Sequence, residues 1–199
     1  MPGLARRALR GARGALKALA RLVAPRAPER AEALTDLPPW ARCGSKRRAH
    51  VRRVAELVEL WAEEVGVSKR ERDRWLRAVW LHDALRDARL TKGTTHGPAA
   101  ADRAALDGES DRGVLDAVRY HSLGYAAWDD VGKMLYLADY LEPGRKRRAK
   151  EREKLAERVP RDRDRVLREV VALQIRSRLR AGRPVHPLTL EFWNSLTDR

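Results

Sequence analysis

The segment Met134-Leu-Tyr-Leu-Ala-Asp-Tyr-Leu141 sets one carboxylate, Asp139, inside a run too apolar to lie in water. Burying an ionised carboxylate is costly unless a cation or hydrogen bonds compensate it. Wherever this run packs, Asp139 therefore needs a partner, and that requirement narrows the folds open to the chain. The partners on offer lie far away in sequence. His50 opens one helical run, the pair His82-Asp83 follows the apolar stretch Ala78-Val-Trp-Leu81, and His121 closes another helical run.

Apolar residues elsewhere recur at helical spacing. Val51, Val54, Val58, Trp61 and Val65 form a stripe that ends at Gly66. Ser68 is placed to cap a second helix, which carries Trp75, Leu76, Val79 and Trp80 towards His82-Asp83. A polar loop through Gly93 precedes a short helix after Thr95-His-Gly-Pro98. Ser110 then caps a helix through Val114, Leu115 and Val118 to His121. A loop with Gly124 leads to Asp129, a cap for the helix that holds Asp139, and Pro143-Gly144 stops that helix. Two further helices are expected, over about 162–181 and 188–196, joined by Gly182-Arg-Pro-Val-His-Pro187. No alternating strand pattern, hairpin turn or internal repeat stands out, so the expected fold class is all-α.

The 199 residues fit one domain with extensions. Residues 1–45 read as a basic arm with a Pro-rich linker over 24–45, and residues 46–199 as the compact domain. Residues 1–53 carry 14 Lys/Arg against 3 Asp/Glu, which leaves only +4 of the +15 net charge for the rest. Over residues 4–23, Arg6, Arg10, Arg13, Lys17 and Arg21 share one face of a helical wheel, opposite Leu9, Leu16, Leu19 and Val23. Gly11 and Gly14 weaken such a helix. The arm suits a solubilising tail, a surface for anionic lipid, or electrostatic contact with RNA. Its Arg-rich, acid-poor character resembles a transit peptide, but residues 1–34 contain no Ser. Cys43 stands alone, so no internal disulfide forms. With no apolar run of membrane-spanning length and no apolar signal segment, the expected location is cytoplasmic.

Helical spacing puts His50 on the side shared with Val54, Leu57 and Trp61, pointing inward. Alone, such a histidine is as readily a hydrogen-bonded core residue. The pair His82-Asp83 says more. Neighbours on a helix diverge by about 100°, so both grip one ion only from a groove between helices. Three helices converging on one cation would satisfy His50, His82, Asp83 and Asp139 together; the competing reading is a polar core network. Imidazole with carboxylate suits first-row divalent metals. Three or four protein ligands with open positions define a catalytic rather than a structural site. His186 lies in a linker and reads as structural. Asp87 fits either a supporting role at the site or a solvated surface. Trp61, Trp75, Trp80, Trp128 and Trp193 read as core. The run Arg145 to Arg148 is either a phosphate-gathering rim or a solvated face.

The order His50, His82-Asp83, Asp139 resembles the H…HD…D signature of the HD-domain metal-dependent phosphohydrolases, an all-helical superfamily. Leu81-His-Asp83, His96-Gly-Pro98, Arg119-Tyr-His-Ser122 and Leu137-Ala-Asp-Tyr-Leu-Glu-Pro-Gly-Arg145 together resemble the YqeK-type branch, bacterial symmetrical diadenosine-tetraphosphate hydrolases. The likeness runs from about His50 to about Asn194. It implies an HD-type helical bundle with His50, His82, Asp83 and Asp139 as metal ligands. The implied metal is iron, with manganese, cobalt or zinc as alternatives. It further implies His96 and His121 as catalytic groups. Arg86, His96, His121, Ser122 and Arg145 would hold a nucleotide substrate that is cut into two ADP. Three departures bear on substrate choice. Arg86 replaces the family's usual Lys, Ser122 replaces Thr, and Lys146-Arg-Arg-Ala-Lys150 replaces a hydrophobic, Gly-containing stretch.

Overall fold

The structure, a computed structural model, describes residues 35–197; the amphipathic arm expected over 4–23 and the first part of the linker lie outside them. Among the described residues there are eight helices and no strand. They are α1 Ser45–Val65, α2 Lys69–His82, α3 His96–Leu106, α4 Arg112–Tyr120, α5 Asp130–Leu141, α6 Ala149–Ala156, α7 Val159–Arg180 and α8 Pro187–Thr197. None is long and apolar enough to cross a membrane.

The stops and starts follow local chemistry. α1 ends at Gly66, whose φ of +73° lets its N–H reach back to Ala62 O and Glu63 O. Ser68 Oγ accepts from Glu71 N–H at 3.2 Å and caps α2. Asp129 caps α5 by accepting from Val131 N–H at 3.1 Å. For α4 the cap is Asp111 rather than the expected Ser110, because the Asp111 carboxylate accepts from Val114 N–H. The basic stretch after Arg145 also carries a helix the periodicity does not announce, α6, anchored by the buried Leu155. α7 starts at Val159, earlier than expected, and kinks at Asp162 (φ −147°, ψ 42°).

Residues 37–44, read as linker, pack against the domain. Arg42 N–H donates to Ala84 O at 2.6 Å, and Arg42 O accepts from Asp87 N–H at 3.0 Å. Asp87 Oδ2 accepts from Gly44 N–H at 2.8 Å, so this carboxylate fastens the segment entering α1. Trp40 Nε1–H donates to Asp107 Oδ2 at 2.8 Å.

α2 and α5 form the centre. α2 touches α1, α3, α4 and α5, while α5 touches α1, α2, α4, α6 and α7. Their inward residues, Val79, Met134, Leu135 and Leu137 among them, are almost fully buried. Trp61, Trp75, Trp80 and Trp128 are buried too, and Trp193 packs partly against them. Phe192 of α8 meets Trp128 and Tyr136 at ring-centroid distances of 5.2 and 5.6 Å. Close packing also explains Gly97, the second residue of α3. A Cβ there would lie 2.8 Å from Arg119 O, so α3 approaches α4 as only glycine allows.

One charged side chain ties three helix starts together. Arg74 of α2 donates to Glu71 at 2.8 Å, to the α4 cap Asp111 at 2.7 Å and to the α5 cap Asp129 at 2.6 Å. Burial would raise the Asp111 pKa, but Arg74 holds it below the usual carboxylate value. Removing the guanidinium leaves three carboxylates facing one another. Arg74→Ala is expected to cost about 2–3 kcal/mol, below the range for fully buried pairs because the site is partly open. Urea denaturation measures it, and an unchanged midpoint would show that the caps hold without Arg74.

Candidate metal centre

Five helices deliver the chemistry-bearing residues to one place. His50 comes from α1, His82 is the last residue of α2, His96 the first of α3, His121 follows α4, and Asp139 lies near the end of α5. Asp83 has left the helix (φ −112°, ψ 14°). That departure removes the 100° divergence expected of helical neighbours, so His82 and Asp83 reach the same point.

Asp83 sits at the middle. Its Oδ2 is 3.4 Å from His82 Nε2 and 3.8 Å from His50 Nε2. Its Oδ1 is 3.1 Å from His96 Nε2 and 3.8 Å from His121 Nε2. Two overlapping groups result, His50/His82/Asp83 and Asp83/His96/His121, each with ligand atoms within 4.8 Å of one another. Asp139 adjoins the first group rather than completing it: Oδ1 lies 3.1 Å from His50 Nε2 and 2.5 Å from Arg145 Nη2. Its side chain is 22% exposed, so the apolar helix turns this carboxylate towards a cavity instead of sealing it in.

The ring orientations are set from behind. His82 Nδ1 lies 2.7 Å from Val79 O, and His121 Nδ1 2.8 Å from Val118 O. A carbonyl only accepts, so the proton of each neutral ring is on Nδ1 and Nε2 faces inward bare. His50 Nδ1 meets Glu142 Oε1 at 3.1 Å with the same consequence. His50 Nε2 and His82 Nε2 are buried without a hydrogen-bond partner; Asp139 Oδ1, 3.1 Å from His50 Nε2, is an acceptor like the bare nitrogen it faces. Two orphaned imidazole nitrogens beside Asp83 and Asp139 could hold a first-row divalent cation. His96 differs. Its Nε2 lies 3.0 Å from the bare Nε2 of His121, so the proton between them belongs to His96.

Burial, countered by nearby His82 and by contacts from His82 and His96, leaves Asp83 well below the usual carboxylate range. Burial would likewise raise Asp139, but His50 and Arg145 hold it low. His121 is pushed down to about 4, first by burial and then by His82.

Arg47, Arg86 and Arg145 flank the ligand carboxylates on the side open to solvent. They line, with Ser122, Tyr140 and Gln174, a cavity of about 230 Å³ that reaches Asp83, His96, His121 and Asp139. Arg86 Nη1 is 3.1 Å from His96 Nδ1, and Arg47 Nη1 is 2.7 Å from Asp83 Oδ2. Every residue singled out from sequence for ligand or substrate contact thus borders one site. His186 lies elsewhere, its Nδ1 accepting from Leu188 N–H at the start of α8.

The sequence reading missed Arg47 and Glu142. Glu142 is nearly inaccessible and accepts from Arg53 Nε at 2.6 Å and Gly144 N–H at 2.7 Å while holding His50. A helical turn was the available signal: Arg47 precedes His50, and Glu142 follows Asp139, by three residues.

Residues 47–144 match the HD domain family. This segment is similar to HD domains. All six inward-facing site residues from His50 to Asp139 lie within it. The fold is similar to that of a solved chain from Clostridium acetobutylicum, described as a predicted HD superfamily hydrolase involved in NAD metabolism. That match has a TM-score of 0.65 and 24% identity, over 77% of this chain and 89% of the other. No curated protein matches the sequence.

Two expectations follow. Glu142→Gln keeps the volume but removes the charge that orients His50, which should weaken metal binding by about 10–100-fold. Competition dialysis with Mn²⁺ checks this, and unchanged affinity would release Glu142 from that role. The second concerns pH. An unfolded chain protonates His121 near 6.5, the folded domain only near 4. The unfolded state therefore binds more protons in that window, and metal-free protein loses stability as pH falls from 6.5 through 4. His50, raised by Asp139 and Glu142 against the effect of burial, works in the opposite sense. His121→Gln should flatten the profile in urea titrations at pH 7, 5.5 and 4.5; a slope equal to that of the unaltered protein would refute the assignment.

Proposed function

We propose that the domain is a metal-dependent phosphohydrolase acting on a dinucleoside polyphosphate, with diadenosine tetraphosphate split symmetrically into two ADP. The observation that carries this reading is the pairing of bare, buried His50 and His82 nitrogens beside Asp83 with an arginine-lined opening on the same carboxylate. His50, His82, Asp83 and Asp139 would hold the cation, iron by the family resemblance, with manganese, cobalt or zinc as alternatives. A divalent cation there supplies Lewis-acid polarisation of a phosphoryl oxygen and an acidified water.

The chain's own groups do the rest. Arg145 and Arg86 present guanidinium forks to phosphate oxygens, joined by Arg47, and Ser122 adds a hydroxyl at the exposed rim. His96 offers its Nε2–H to the bridging oxygen as the P–O bond breaks. Before substrate binds, His121, neutral above pH 4, accepts that N–H and so fixes the proton on His96 Nε2, from which it passes to the substrate oxygen. Water contributes hydroxide to one phosphorus and, through His96, a proton to the departing phosphate.

A broader nucleotide phosphatase is the second reading, favoured by Lys146-Arg-Arg-Ala-Lys150 beside the site. The Clostridium protein's description, with its mention of NAD metabolism, supports including pyrophosphate-linked dinucleotides among the substrates tested. A purely structural metal fits less well, since the cavity opens on Asp83 and Asp139.

The test is incubation of protein loaded with Fe²⁺ or Mn²⁺ with diadenosine tetraphosphate, followed by chromatography. Two ADP are expected, whereas AMP plus ATP would rule out symmetrical cleavage. Phosphate release from mononucleotides alone would favour the second reading. Asp83→Ala is expected to abolish both metal binding and turnover.

A further inference from the structure

α6 and α7 face each other across a trench whose cations outnumber its carboxylates. Lys150, Lys154, Arg158 and Arg176 border a cavity of about 680 Å³. Arg147, Arg148, Arg176 and Arg180 border a second of about 270 Å³, and Leu173 and Arg176 belong to both. The two acidic residues on its walls are already taken. Glu169 accepts from Arg158 at 2.8 Å, and Glu151 pairs with Arg148. Among the described residues, Arg147, Lys150, Lys154, Arg176 and Arg180 make no ion pair, and all five are exposed. Five unpaired cations in a concavity focus a positive field that a chain with its own counter-charges would not maintain.

Shape and lining narrow the partner. The wall from Glu169 to Arg180 is helical and spans about 17 Å at 1.5 Å per residue, longer than one phosphate requires. The floor is Leu155, Ala172 and Leu173, with no aromatic ring on which a base could stack. Recognition there would be of phosphates, not bases. A strand enters such a trench, whereas a bilayer meets only its rims. Of the large apolar side chains that stand exposed, Leu179 is the one in this part of α7, too little to anchor a helix in lipid.

We propose that the α6–α7 trench binds the phosphodiester backbone of single-stranded nucleic acid. This site is separate from the metal centre and does not rest on the proposed hydrolysis. It adjoins that centre, because Gln174 and Arg145 of the active-site cavity neighbour Leu173 and Arg147 of the trench in sequence. It also differs from the N-terminal arm, which stays unaltered when the trench residues are changed.

The experiment uses the full chain and fluorescein-labelled 20-mers of uridine, adenosine and thymidine, followed by anisotropy from 50 to 300 mM KCl. The probe variant is K150E/K154E/R176E/R180E; circular dichroism establishes its fold, and the milder K150Q/R176Q variant serves if it does not fold. At 150 mM KCl the Kd should rise at least tenfold in the fourfold variant. The slope of log K against log salt should become shallower by about 3, since each phosphate neutralised on a single strand contributes about 0.7 to it. The uridine and adenosine strands should differ by less than about threefold, since stacking contributes nothing. Three results would overturn the proposal. They are no binding by the unaltered chain, binding by the variant within twofold of it, and a stronger charge-dependent attachment to phosphatidylglycerol vesicles than to the strands.

Discussion

Nδ1 of three buried histidines is fastened from behind, and the geometry of the centre depends on that. Val79 O, Val118 O and the Glu142 carboxylate take the outward protons of His82, His121 and His50. Each ring is thereby held by its own helix end or by the end of α5, and each neutral ring turns a lone pair towards Asp83. The bundle supports this arrangement with its most buried elements. α2 and α5 run through the centre, and Arg74 fixes the starts of α4 and α5 to α2.

Charge is arranged in layers around this point. Asp83 and Asp139 form an acidic floor, each touched by an arginine, Arg47 and Arg145. Those arginines also line the opening, where a phosphate would compete for them. The trench between α6 and α7 repeats the cationic lining without the acidic floor. By residue count, most of the excess charge belongs to the first 53 residues. The remainder is almost balanced in sum but not in place, because ion pairs consume many of the domain's acids and leave a cluster of cations on one side.

The all-α class was legible because each helix carries its own punctuation: Ser68, Asp129, Gly66 and Pro143 act over a few residues. What escaped depends on distant contacts. The 37–44 segment has the prolines of a linker, yet its backbone pairs with Ala84 and Asp87, more than 40 positions on. α6 is too polar for a periodicity argument and is held by Leu155 against the core. Asp111 and Ser110 are both good caps, and the choice of Asp111 coincides with its bond to Arg74 from another helix.

The sequence by itself determined the residue types, their order and the helical spans that carry them, since capping and periodicity are local. His50, His82, Asp83, His96, His121 and Asp139 could be singled out because imidazole and carboxylate in apolar surroundings demand partners. Only the tertiary structure decided how they divide. It set Asp83 between two histidine pairs, left Asp139 shared between His50 and Arg145, and gave the proton of the His96–His121 contact to His96. Those outcomes depend on distances of a few ångströms between different helices. Coulomb and hydrogen-bond energies are decided at that range, and spacing along a single chain does not encode it.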